Sequence, residues 1–222
     1  MASPSPNPRV SYPEAARALL RTSILDAMRE LLGERDWSRI TLGDVAGRAG
    51  VSRQTLYKEF GSRAGLAQAY ALRLADQLVD HVEAAIWLNV GDPRAAVRDG
   101  LTNFFIDAAE DPLIQSLLTG EVKLDLLRLI TLDSEPLVDR AADRLTRTFV
   151  ESWVRAPVAE AGALARALVR IALSFIPAPP RPDQDVPGEL ALVLAPFVEQ
   201  LVAGPQPTAG EQGSGGAADR TR

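Results

Sequence analysis

Between Thr41 and Phe60 the chain has room for two short helices and one sharp turn, and for little else. Thr41 offers a side-chain oxygen to the free N–H groups of a helix start, and Asp44 stands three places on, as in a capping box with Asp in place of Glu. Leu42, Val45, Ala46 and Ala49 then recur at i, i+3, i+4 and i+7, one apolar face of a helix over 42–49. Gly50 suits the left-handed residue that ends a helix, and Ser52 suits the cap of the next, over 53–60. Val51, Leu56 and Phe60 complete a small core, and the small Ala46 and Ala49 let the two helices cross closely. Arg53, Gln54, Thr55, Tyr57 and Lys58 are left pointing outward. Arginine suits guanine, glutamine suits adenine, and hydroxyls suit phosphate or either base. The bland alternative, ordinary solvated charge on a surface helix, stays open for Arg53 and Lys58.

The rest of the chain has helical spacing almost throughout, and no alternating run long enough for a convincing strand. A first helix is expected over 13–33, with Ala16, Leu19, Leu20, Ile24, Ala27, Met28 and Leu31 on one face and Gly33 at its end. Trp37 and Ile40 follow in a loop that returns to the core. A long helix is expected from Ser62 to about 88, then others near 93–110, 112–118, 121–131, 136–154, 158–176 and 187–203, several of them opening at prolines. Residues 177–187 form a Pro-rich connection. The expected organisation is a flexible arm (1–12), a helix-turn-helix domain (13–61), a helical domain for ligand and dimer contacts (62–203) and a disordered tail (204–222).

Charge and composition narrow the function. Residues 1–66 hold ten Lys and Arg against seven Asp and Glu, while the remainder holds fourteen against twenty-two, so only the first part suits a polyanion. The absence of cysteine excludes disulfides, thiolate metal sites and a cysteine nucleophile. The single histidine, His81, would have to serve any Ser-His-Asp triad, and a partly buried structural role is its plainer reading. No nucleotide-binding or hydrolase motif appears. No secretory start, membrane span, metal site or cofactor is expected, and a cytoplasmic location fits.

The run Thr41, Asp44, Val45, Ala46, Ala49, Gly50, Val51, Ser52, Leu56, Tyr57, Phe60 and Leu66 resembles the opening pattern of the TetR family, over residues of about 15–70. That resemblance implies an all-α homodimer whose third helices enter successive major grooves of a palindromic double-stranded DNA operator. It implies that Thr41 and Tyr57 contact phosphate, and that Arg53, Gln54, Thr55 and Lys58 face the groove beside Ser52. Arg63 stands where the family usually has lysine, and is expected to grip phosphate. Gly43 departs from relatives that place a long base-reading side chain there. Glu59 fits near phosphate only if it faces away or accepts from cytosine. A narrower resemblance, carried by Arg63-Ala64-Gly65-Leu66-Ala67-Gln68-Ala69-Tyr70 and by Asp111-Pro112-Leu113 with Leu117-Leu118-Thr119-Gly120, is to regulators of alkane-hydroxylase genes in actinobacteria. It implies a long-chain fatty acid or acyl thioester as effector.

In the helical domain, Trp87, Phe104, Phe105, Leu118, Leu127, Ile130, Phe149, Trp153 and Phe175 are the candidate lining of an apolar effector pocket, with plain core packing as the alternative for each. Asn103, Gln115, Thr119, Lys123, Arg128 and Ser174 are candidate polar handles. Two stripes are candidate dimer contacts: Leu164, Leu168 and Ile171 with Phe175 on one helix, and Leu190, Leu194, Phe197 and Leu201 with Val198 on the next. The expected switch is displacement of the long fourth helix by ligand, which widens the two DNA-binding heads. Three other readings remain at this point: a binding protein that kept the head as a relic, an activator of the same fold, and a helical-bundle enzyme.

Overall fold

The computed structural model describes residues 11–119, 123–181 and 183–204. Its described residues are all-α, with ten α-helices and one 3-10 turn: α1 (Tyr12–Glu34), the 3-10 turn (Trp37–Arg39), α2 (Leu42–Arg48), α3 (Arg53–Phe60), α4 (Arg63–Leu88), α5 (Pro93–Glu110), α6 (Pro112–Leu118), α7 (Leu124–Ile130), α8 (Glu135–Glu151), α9 (Val158–Phe175) and α10 (Val186–Ala203). The expected disordered tail lies outside the described residues except Gly204, and the expected arm lies outside them except Ser11 and Tyr12. Those two residues already belong to helix α1 and its cap, because Ser11 and Glu14 form a capping box that starts the helix earlier than Pro13 alone suggests.

Two expectations for α1 need correction. The helix runs through Gly33 to Glu34, because the Arg35 N–H still donates to the Leu31 carbonyl. Ala16 and Leu19 are exposed, since the first two turns of α1 project past the small core that Ile24, Met28 and Leu31 enter. The segment after α1, expected as a loop, contains the 3-10 turn, capped by Asp36 accepting from the Ser38 N–H at 2.9 Å.

The core falls into two clusters. The first joins α1, the 3-10 turn, α2, α3 and the start of α4 around Trp37, Tyr70, Ile24 and Leu56, and takes in Leu113 of α6 and Leu126 of α7. The second joins α4, α5, α8, α9 and α10. Helix α4 belongs to both and spans them. The tips of α6 and α7 therefore sit in the head's own core, which an N-terminal domain boundary at residue 61 hides.

Helix α10 is, by length and composition, apolar enough to cross a membrane. It instead packs Ala191, Ala195 and Val198 inward along α5 and leaves most of its apolar surface exposed. Such a face is the usual mark of an interface.

Candidate nucleic-acid interface and effector cavity

Local chemistry fixes the reading surface. Thr41 caps α2: its hydroxyl accepts from the Asp44 N–H at 3.2 Å and donates to the Asp44 carboxylate at 2.7 Å, while the Thr41 N–H donates to the same carboxylate at 2.9 Å. The Asp44 carboxyl is held below its ordinary range by these Thr41 hydrogen bonds, backbone first. Gly50, at φ +67°, makes the turn that an L side chain would strain. Ser52 then caps α3, accepting from the Thr55 N–H at 3.0 Å. Val45, Ala46, Leu56 and Phe60 are buried, so Arg53, Gln54, Tyr57 and Lys58 are exposed on one side of α3, and Thr55 is half-buried.

Arg53 does not stand alone. A Cβ built on Gly43 would lie 2.7 Å from the Arg53 Nη2, so glycine at that position lets the guanidinium lie flat across the start of α2. Thr41, Arg53, Tyr57, Ser62 and Arg63 together line one shallow concavity at the N-terminus of that helix. The partial positive charge of the N-terminus and the cationic side chains make this a place for an anion.

Two sequence expectations resolve differently. Glu59 faces away from this surface: Arg17 Nε donates to it at 2.8 Å, Arg21 donates to its backbone carbonyl at 2.7 Å, and the Arg17 hydrogen bond leads the causes that lower its pKa. Arg63, expected to grip phosphate, turns inward. Its guanidinium lies 3.8 Å from the Trp37 ring centroid and donates to the carbonyls of Trp37 and Ile40 and to Asp125. Each of its three nitrogens already serves an acceptor within the protein, so its part is to brace the head.

That brace is one strand of a polar latch between the head and α6–α7. The Trp37 backbone N–H donates to Ser116 Oγ at 3.0 Å, and the Trp37 indole donates to Asp125 at 2.8 Å. Ser116 in turn donates to Asp36 at 3.1 Å, and the buried Lys123 ammonium lies 2.7 Å from the same carboxylate. Burial alone would raise the Asp36 carboxyl, but Lys123, Ser38 and Ser116 outweigh it and hold that group far below its ordinary value. Nearby, buried Asp111 caps α6, accepts from the Tyr70 hydroxyl at 2.8 Å and faces Arg29 of α1 at 3.5 Å. Burial, then the charge of Asp111, pushes the Tyr70 hydroxyl up, so it stays a donor.

The other face of α6–α7 lines a cavity of about 60 Å³. Its walls are apolar side chains of α4 to α9, with Gln77 and Asp107 the polar exceptions. A second cavity, of about 30 Å³, lies further along α4, α5 and α9, with Trp153 and Leu194 in its wall.

Residues 24–70 match a family profile described as bacterial regulatory proteins, tetR family. Residues 92–196 match the bacterial tetracyclin repressor C-terminal domain. The HTH-type transcriptional regulator AlkX of Mycobacterium tuberculosis H37Rv is 55% identical over 196 residues, covering 88% of this chain and 93% of that one. The chain belongs to the TetR family. The crystal structure of the TetR-family repressor AlkX from Dietzia sp. DQ12-45-1b aligns with a TM-score of 0.77 at 41% identity, covering 82% of this chain and 96% of that one. A TetR regulator from Rhodococcus sp. RHA1 shares the fold, at a TM-score of 0.54 and 21% identity over 83% of this chain and 97% of that one. This TetR-family protein is thus an AlkX-like transcriptional repressor and not an enzyme.

Within the TetR-family frame, the expected pocket residues scatter. Phe104 and Ile130 line the first cavity, and Phe149 and Trp153 line the second. Phe105 and Phe175 pack edge to face at 5.5 Å beside them, Trp87 and Leu118 are exposed, and half-buried Leu127 lines neither cavity. The polar handles are engaged elsewhere: Lys123 binds Asp36, Arg128 binds Asp133, and Gln115, Thr119 and Ser174 donate to backbone carbonyls. Asn103 lines neither cavity. The cavity's own polar groups escaped the sequence reading, although His81 marked them, since its Nε2 lies 2.8 Å from Asp107. Ala71, Leu74, Ala75 and Leu78 also escaped it; their i, i+3, i+4, i+7 spacing along α4 is the signal that could have found them.

The dimer stripes were read one face off on α9. Leu164 and Leu168 are buried in the protomer core and line the second cavity. Ile171 is half-buried, and Leu190, Leu194 and Leu201 pack against that core. On α10, Leu192, Val193, Phe197 and Val202 are the exposed apolar side chains.

Proposed function

We propose that this repressor works in the cytoplasm as a homodimer, binds a palindromic double-stranded DNA operator through α3, and is released by a small apolar effector. The observation that carries the reading is the exposed set Arg53, Gln54, Tyr57 and Lys58 beside the concavity at the α2 N-terminus. Arg53, Gln54, Thr55 and Lys58 face the groove, while Thr41, Ser52 and Tyr57 contact phosphate at its edge, with Arg63 supporting them from behind. The exposed apolar side chains of α10, with α9 beside them, supply the two-fold contact.

The effector class follows from the lining and the relatives. A cavity walled by aliphatic side chains favours a hydrocarbon. The Dietzia repressor is implicated in biodegradation of n-alkanes, and a long-chain fatty acid or its acyl thioester is a product of alkane oxidation. In this reading, the effector displaces the faces of α4, α6 and α7 that line the cavity, and the latch at Asp36, Trp37, Ser116 and Lys123 passes the shift to the head.

Fluorescence anisotropy with DNA from upstream of the chain's own gene tests the DNA half. Arg53→Ala should weaken binding by about 5- to 150-fold, the worth of one good base contact, and Tyr57→Ala should weaken it with little change in sequence preference. Affinity should fall steeply as salt rises. Binding that ignores salt and both substitutions would leave a ligand-binding protein with an idle head.

A further inference from the structure

The two cavities are arranged end to end. Along α4 the first cavity meets Ala71, Leu74 and Leu78, and the second meets Val82 and Ile86. Along α5 the order runs in reverse, with Ala108 and Phe104 on the first and Leu101 and Val97 on the second. Along α9 it does so again, with Ile176, Leu173 and Val169 followed by Leu168 and Leu164. The cavities therefore share one long axis. What divides them is a layer about one helical turn thick, in which Phe104 is the bulkiest side chain.

Their chemistry differs in one respect. The first cavity has Gln77 and Asp107 in its wall. In the second, the Trp153 indole is the lone side chain with a polar atom, and its N–H already donates to the Ile86 carbonyl at 2.6 Å. An occupant of the second cavity finds no polar side chain to pair with, so any polar group it brought there would go unmatched. Only hydrocarbon fits that end.

We propose that the two cavities are the two ends of a single site for a straight-chain molecule with one polar terminus: the polar end lies in the first cavity, the terminal alkyl segment enters the second, and Phe104 with Leu101 swings aside to join them. The proposal rests on the apolar-effector reading and adds a length requirement to it. From Ala71 to Ile86, α4 advances roughly 22 Å. An extended chain advances about 1.2 Å per bond, so the joined site measures a tail of about 16 to 18 carbons and the first cavity alone about half of that.

The test uses the full-length protein with saturated straight-chain fatty acids and their methyl esters of about 8 to 18 carbons. The readouts are thermal shift and release of operator DNA. Val97→Phe and Leu194→Phe each fill the second cavity from a different helix, and unliganded melting curves establish that they fold. The wild type should respond most strongly to the longest probes. Either filler should leave the response to about 8 carbons within twofold and weaken that to about 18 carbons by roughly fourfold per methylene displaced, about fiftyfold for three. Equal weakening at every length, or no loss with the longest probes, would overturn the joined site while the effector reading stood. A wild type that answers short chains but not long ones would do the same. No response to any probe would overturn both.

Discussion

Replacing Ser116 by alanine removes one hydroxyl from a helix that touches no DNA, yet it should be felt throughout the head. Ser116 Oγ is the acceptor for the backbone N–H of Trp37, a residue 1% exposed, at 3.0 Å. Without it that N–H faces a methyl group in a site closed to water, and an orphaned buried donor costs about 1–3 kcal/mol. Asp36 loses one of its donors but keeps Lys123 at 2.7 Å and the Ser38 N–H at 2.9 Å, so its share is small. A loss of about 2 kcal/mol lowers the melting temperature by roughly 4–8 °C in a chain of this size. Urea unfolding should show a lower midpoint with an unchanged slope, the signature of altered stability with the same exposed surface. The control is Ser38→Ala, which removes an exposed donor from the same carboxylate, where water can substitute; it should stay within about 0.5 kcal/mol. Equal melting temperatures for the two variants would refute the reasoning, because the burial of the Trp37 N–H is what separates them.

The remaining predictions concern pH, the reading surface and the dimer. Asp36 ionises more readily folded than unfolded, so its contribution is present above the ordinary value of 3.8 and disappears as acid titrates the folded group; the melting temperature should fall below about pH 5, and less steeply in Lys123→Met, which lacks the charge that sustains the shift. Gly43→Ala should leave the melting temperature nearly unchanged, because its Cβ displaces only the flexible end of Arg53, but should weaken operator binding severalfold by anisotropy. Thr41→Val removes the α2 cap and should cost about 1 kcal/mol in chemical denaturation, alongside any loss in DNA affinity. Val193→Glu places a charge on the exposed face of α10 and should shift sedimentation from dimer to monomer.

How far the sequence could be read depended on whether a position was set locally. Helices α2, α3, α5 and α6 lie within a residue or so of the spans expected from caps, prolines and apolar spacing, because those signals act within a turn of the residue that carries them. The outward set on α3 was legible for the same reason: once Val45, Ala46, Leu56 and Phe60 are inside, Arg53, Gln54, Tyr57 and Lys58 have one side left to occupy. Arg63 was misplaced because its acceptors, Trp37, Ile40 and Asp125, lie 23 to 62 residues away in the chain. The cavity lining was misread because aromatic size was taken as its mark, whereas leucines and alanines at the seam of six helices supply most of it. Leu164 and Leu168 looked like interface residues for a related reason. Periodicity gives an apolar stripe, and only the neighbouring helices decide which partner covers it.

The position of α6 and α7 suggests why a molecule of modest size could control DNA binding. Leu113 and Leu126 sit in the head's core and also line the cavity, so no insulating layer separates effector from head. Between those two faces lies the latch, whose donors Trp37, Lys123 and Arg63 converge on Asp36, Ser116 and Asp125. Allosteric coupling free energies are typically about 1–3 kcal/mol, the net worth of one to three intramolecular hydrogen bonds. An effector need not unfold the head or drag α4 through a long arc. Favouring an arrangement of α6–α7 in which two of these bonds are broken would shift operator affinity by the usual amount, and only the difference in its affinity for the two arrangements counts. Ser116→Ala should therefore compress the effector response as well as lower the melting temperature. In the variant, effector should change operator affinity by a smaller factor than in the wild type, measured with both proteins well below their melting temperatures. An undiminished factor would place the coupling in α4 alone.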